Sequence, residues 1–439
     1  MDTLISNVTV VTMNERMDVL FGAHIGISGK KITYIGKKAP DEKPSTIVDG
    51  TGMVAMPGLI NCHTHLTQTM FRSLWDDTSA QETLEGYLTR QARLDHRSAK
   101  ASALMGIAEC LRFGITSVSD LGSCPEAVAE AAAETGIKAN VALAAERFID
   151  ESEDFDFETD EQCCLLRRLA EKWHGHDAGR IRIDAGIYAE YTSNYKLWEA
   201  LSDYAVQKEL GMQLHLSQTA HEAESCMDRT GLGPGELLDC HRLFAVPAQA
   251  AGCAAMSESE RRILAKRKAS AVVAPLGDAG AGIKPLSVLQ TVKAGMNVAL
   301  GTGGAVDSGS MDMFEVMRGT AMAARLETGK PEAMPAAAVL MMATTCGARA
   351  QGRCDVCGML KEGMDADLIL VDFTAPHLMP CHNVMNGLVY SAKGGDVAMT
   401  MVQGKILYQN GAFATIDLKQ VVEELTGYAI AHVFEDKEG

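Results

Sequence analysis

Two histidines one residue apart close an apolar run, Pro57-Gly58-Leu59-Ile60-Asn61-Cys62-His63-Thr64-His65. Side chains two apart on a strand point the same way, so a strand here projects His63 and His65 together from its C-terminal end. Two neutral imidazoles aimed at one point suit Zn, Fe, Ni or Cu. At an ordinary strand end the same pair is incidental, so the element behind them decides. A strand that opens a closed parallel barrel delivers them to the face where barrel enzymes keep their active sites. Other motifs carry less. His174-Gly175-His176 precedes a strand, which places it on the opposite, stabilising face. Cys354 and Cys357 form one Cys-x-x-Cys without the second pair of a zinc ribbon. Cys163 and Cys164 are adjacent and fit packing on a helix. No Gly-x-Ser-x-Gly elbow supports Ser-His-Asp catalysis.

The elements that must position these groups follow from periodicity. Leu4–Met13, Ala23–Ile27 and Lys31–Ile35 are short runs rich in Val, Ile, Thr and Tyr, the composition of strands. The texture returns in Ala366–Phe373, Val384–Tyr390 and Val397–Tyr408. One small β-domain built from both chain ends is expected. Between them, eight apolar runs alternate with amphipathic stretches: Met53–Cys62, Thr116–Leu121, Ala139–Leu143, Arg180–Ile187, Met212–Leu216, Gln249–Ala255, Ser270–Pro275 and Met296–Gly301. Ser98–Phe113 and Pro125–Thr135 read as helices, the second stopped by Gly136. Eight alternations in this length match a (β/α)₈ TIM-like barrel. An open doubly wound sheet is the alternative, although no Gly-x-Gly-x-x-Gly follows the first run to favour it.

Composition narrows the function. The 439-residue chain has 40 Lys+Arg against 57 Asp+Glu, a formal charge of −17, and no basic stripe. Such a chain gains little from a phosphate backbone, so nucleic acid is not an expected partner. No uncharged apolar stretch of about 18 residues exists, so no membrane span is expected. The start, Met1-Asp2-Thr3-Leu4, lacks the basic and apolar pattern of an export signal. The twelve irregularly spaced cysteines therefore read as reduced thiols, and the expected location is cytoplasmic.

Pro57–His65, followed by Phe71-Arg72-Ser73-Leu74-Trp75-Asp76-Asp77, resembles the amidohydrolase superfamily. Within it, the chain is most similar to the branch of S-adenosylhomocysteine/methylthioadenosine deaminases, guanine deaminase and triazine chlorohydrolases. The likeness runs through Gly114-Ile115-Thr116, His215-Leu216, Gly295–Gly304, Met311–Glu315, Ala343-Thr344 and Gly363–Ile369, essentially the whole chain. It implies an α/β architecture: a (β/α)₈ TIM-like barrel over 57–357, and a composite β-sandwich domain from 1–56 and 358–439. It also implies one divalent metal, Zn first and Fe second, a small-molecule substrate and a homo-oligomer. Carried over by position, His63, His65 and fifth-strand His215 are the expected metal ligands.

Elsewhere the chain departs from the family pattern. A proton-carrying Glu becomes Gln218, a sixth-strand His becomes Gly252, and an eighth-strand Asp ligand becomes Gly303. Gln218 keeps the shape of Glu without its proton chemistry. Candidate replacements are His221 and Glu222, Asp307 four residues past Gly303, Asp278 after the seventh run, and Glu190. The catalytic set expected is Gln218, His221 and Asp307, with Tyr188, Trp75 and Gln68 against the substrate. The implied activity is hydrolysis of a non-peptide C–N bond, of deaminase or chlorohydrolase type, on a small heterocycle. A catalytically degenerate binder, or an enzyme of the same fold with metal-free chemistry, is the alternative.

Overall fold

The structure, a computed structural model, describes residues 1–78, 80–150 and 152–434, and only the backbone at 80, 81 and 84. Eight strands lie parallel, each beside its neighbours in sequence: Leu59–His65, Ile115–Gly122, Lys138–Leu143, Ile181–Gly186, Met212–Leu216, Ala248–Gly252, Ser270–Val273 and Asn297–Leu300. Immediately past the eighth, Gly303 and Gly304 pair with Thr64 and His65 of the first, which closes the barrel. Each of the eight apolar runs contributes one of these strands. They are buried on both faces, which is why they read as continuous apolar runs rather than alternating ones. Helices His96–Arg112 and Pro125–Thr135 sit where their periodicity placed them, and Gly136 ends the second at φ +88°.

The second unit is one mixed sheet of nine strands drawn from both chain ends. Leu368–Asp372 joins them, pairing antiparallel with Met53–Pro57 on one side and Val397–Val402 on the other. Val384–Tyr390, expected as a strand, is a helix. Asn383 caps it through the Asn386 N–H at 3.0 Å, and it buries Leu388 and Val389. A short apolar run looks the same in either state, and here the cap decided. No described helix is long and apolar enough to cross a membrane.

A buried cation fastens the barrel to the segment returning to the sheet. Lys138 opens the third barrel strand at 1 % exposure. Its ammonium meets Asp365 at 2.7 Å and also Asp367. Removing one partner of a buried pair leaves uncompensated charge, at about 3–5 kcal/mol. Lys138→Met is therefore expected to destabilise the protein by about that amount in urea unfolding.

The barrel interior beneath the His pair is polar rather than aliphatic. Ser119 donates to Gln249 at 2.8 Å, while Asn140 and Gln213 both donate to Asp184 at 3.0 Å. Arg353, 1 % exposed, closes the far end by bonding Asn140 and the carbonyls of Ala139, Gly179 and Arg180. Cys354 and Cys357, next to it, are both free.

Candidate functional site

The first strand carries His63 and His65 to the C-terminal end of the barrel, and the fifth carries His215 to the same end. Their ring centroids lie 4.7, 4.9 and 5.3 Å apart, and one nitrogen from each falls within 4.8 Å of the other two. Two tautomers follow from the neighbours. His65 Nδ1 lies 2.6 Å from the Leu121 carbonyl, and His215 Nδ1 lies 2.9 Å from the Tyr188 carbonyl. A carbonyl only accepts, so each Nδ1 carries the proton and each Nε2 keeps its lone pair. Burial, reinforced by the other imidazoles, holds His63 well below its ordinary value. Burial likewise takes His215 down to about 3. Three neutral nitrogens with free lone pairs are a donor set for a transition metal.

Asp120, the one charged residue of the buried second strand, braces the turn after His65. It accepts from the Leu66 N–H at 2.6 Å and from the Thr64 hydroxyl at 3.1 Å. Burial raises it to about 6. A charged residue near the C-terminal end of a buried strand was the sequence signal for it. Glu222 does the same beyond the fifth strand, accepting from the Ser217 and Gln218 N–H groups at 2.9 and 2.7 Å.

A cavity of about 880 Å³ opens over the histidines. Gln218, Asp307, Tyr188, Trp75 and Gln68 line it, as does Asp278. His221 does not. It is exposed on the first turn of helix Ala220–Thr230, outside the lining. Thr219 caps that helix through the Glu222 N–H, which turns Glu222 inward and His221 outward. Glu190 is also withdrawn, buried against Arg229 at 2.8 Å. Within the acidic segment 151–160, Asp160 is buried and caps helix Glu161–Trp173, while residue 151 lies outside the described residues.

Asp278 follows the seventh strand at the start of helix Pro275–Gly280 and is 3 % exposed. Burial raises it to about 7, with Gln218 opposing the rise and nearby Asp307 adding to it. Asp307, open to the cavity but flanked by protein, is raised to about 6 by desolvation.

The departures at 252 and 303 reach the backbone. Gly252 has φ +87° and Gly303 φ +69°, where side chains are disfavoured. A Cβ on Gly252 would also sit 3.0–3.3 Å from Gln218. Gly252→Ala is therefore expected to cost about 1–3 kcal/mol in denaturant unfolding. At Gly303 a Cβ would meet only Ala274, at 3.9 Å. Gly303→Ala is expected to cost about 1 kcal/mol.

A model of the amidohydrolase family matches residues 54–407. The chain is 32% identical to a 5-methylthioadenosine/S-adenosylhomocysteine deaminase of Thermoanaerobacter pseudethanolicus, over 96% of this chain and 97% of that one. It is 33% identical to a 5'-deoxyadenosine deaminase of Methanosarcina mazei, over 96% of both. Among solved structures, a zinc-bound adenosine deaminase from Xanthomonas campestris superposes with TM-score 0.90 at 26% identity, covering 98% of both chains. A zinc complex of an atrazine chlorohydrolase from Arthrobacter aurescens superposes at 0.87 and 25%, covering 97% of this chain and 99% of that one. With the barrel, the composite sheet and the three converging histidines in place, this chain belongs to the amidohydrolase family.

Proposed function

We propose that this protein is a metal-dependent hydrolase of a non-peptide C–N bond in a small heterocyclic molecule. The convergence of His63, His65 and His215 on one point of the cavity floor carries the reading. These three residues would hold one divalent ion, with zinc favoured by the imidazole donor set and by the zinc-bound relatives. When bound, such an ion lowers the pKa of its water toward neutrality and supplies the nucleophile.

The chain's own residues supply the rest. Asp278, poised near neutrality, accepts and returns a proton, the role that Gln218 cannot fill. Gln218 lines the same cavity. Tyr188, whose ring centroid lies 4.7 Å from that of His215, and Trp75 offer aromatic surface for a planar substrate.

The test is metal content and turnover on protein purified without chelators. About one zinc per chain, with ammonia released from 5'-methylthioadenosine, 5'-deoxyadenosine or another aminoheterocycle, is expected. The glycines at 252 and 303 support a second reading, a binder without turnover. Tight ligand binding with no product from any such compound would favour it.

A further inference from the structure

The cavity has an unusual chemical balance. Asp76, Glu146, Glu161, Asp278 and Asp307 line it, and no Lys or Arg does among the described residues. Acidic residues on a surface mean little, but two atoms here are buried and unanswered. Asp278 Oδ2 has no hydrogen-bond partner in a side chain 3 % exposed. Gln68 Oε1 has none either, in a side chain 7 % exposed that lines the same cavity on the turn after the first strand. Both are acceptors, and a buried acceptor without a donor is costly. Asp307 packs against the helix that carries Asp278, its Cβ 3.9 Å from the position a Cβ would take on Gly277, and its charge adds to the rise at Asp278. Among the described residues the three histidines alone form a cluster with metal-ligand spacing, which leaves these oxygens to an organic ligand.

We infer that the substrate carries a positively charged nitrogen group with N–H donors, an ammonium, amidinium or guanidinium, seated against Asp307 and reaching Asp278 and Gln68. Such a group answers the orphaned acceptors and neutralises carboxylates that no protein cation faces. It disfavours phosphorylated and other anionic groups at this end of the cavity, where they would face the carboxylates of Asp278 and Asp307. The inference rests on the proposed hydrolase reading for the location of the substrate and narrows its class.

The test uses full-length, zinc-loaded protein at pH 8 and three probes of one shape: benzamidinium, benzamide and benzoate. Calorimetry is expected to show benzamidinium binding about tenfold or more tighter than benzamide, with benzoate weakest. Asp307→Asn, at a site open to the cavity, is expected to shrink the preference to about threefold or less while the thermal melt stays cooperative. Equal or tighter binding of benzamide or benzoate, no binding of benzamidinium, or an unchanged preference in folded Asp307→Asn would overturn the inference. The binding assay needs no turnover. Charge preference without turnover therefore removes the hydrolase reading alone, and turnover without charge preference removes this inference alone.

Discussion

Zinc content is expected to fall from about one ion per chain to below about a tenth when His63 is replaced by alanine, and turnover with it. The three rings form a nearly equilateral triangle, with His63 at centroid distances of 4.7 and 4.9 Å from the other two and those two 5.3 Å apart. Its loss leaves two imidazoles, too few for a stable site. Losing an outer partner of a ligand already weakens metal binding by about 10–100-fold, so losing a ligand itself should exceed that. The fold should survive, because the ring faces the cavity rather than the aliphatic core. Plasma mass spectrometry beside a thermal melt reads both quantities. A folded His63→Ala protein that keeps its zinc would contradict the assignment.

Asp278→Asn is expected to move activity and stability in opposite directions. Loss of a general acid–base group lowers turnover by about 10²–10⁴-fold. The wild-type rate should rise with pH through about 7, where Asp278 ionises, and the variant should lack that limb. The stability effect follows from linkage. The folded group binds its proton up to about 7, the unfolded group only up to its ordinary 3.8. Between those values the native state holds more protons, so stability falls as pH rises across the window and stays reduced above it. Asparagine cannot ionise and removes that cost. Urea unfolding at pH 8 should show the variant more stable by about 1–2 kcal/mol, with the gain vanishing near pH 4. A flat pH–rate profile in the wild type would exclude Asp278 from proton transfer.

The legible part of this protein was whatever local patterning determines. Eight runs buried on both faces announced eight parallel strands, and the His-x-His at the end of the first announced two of the three imidazoles that converge on one point. His215 was visible only through resemblance, because a single histidine in Gln213-Leu214-His215-Leu216 looks like any core residue. His221 illustrates the limit of proximity in sequence: it lies six residues past His215, yet one helical cap turns it to solvent. Asp278 and Gln68 required the fold, since what distinguishes them is burial without a partner, a property of distant neighbours. Lys138 was hidden for the same reason, its two carboxylates lying more than two hundred residues away. Val384–Tyr390 failed differently, because an apolar run of seven carries no period long enough to separate strand from helix.

X-ray absorption at the zinc edge of the protein as purified reads the three-histidine site itself. A low-coordinate site with about three imidazole nitrogens at roughly 2.0–2.1 Å and no sulfur neighbour is expected. Sulfur near 2.3 Å would place the metal on the chain's cysteines instead, and an absent edge in active protein would remove the metal from the chemistry.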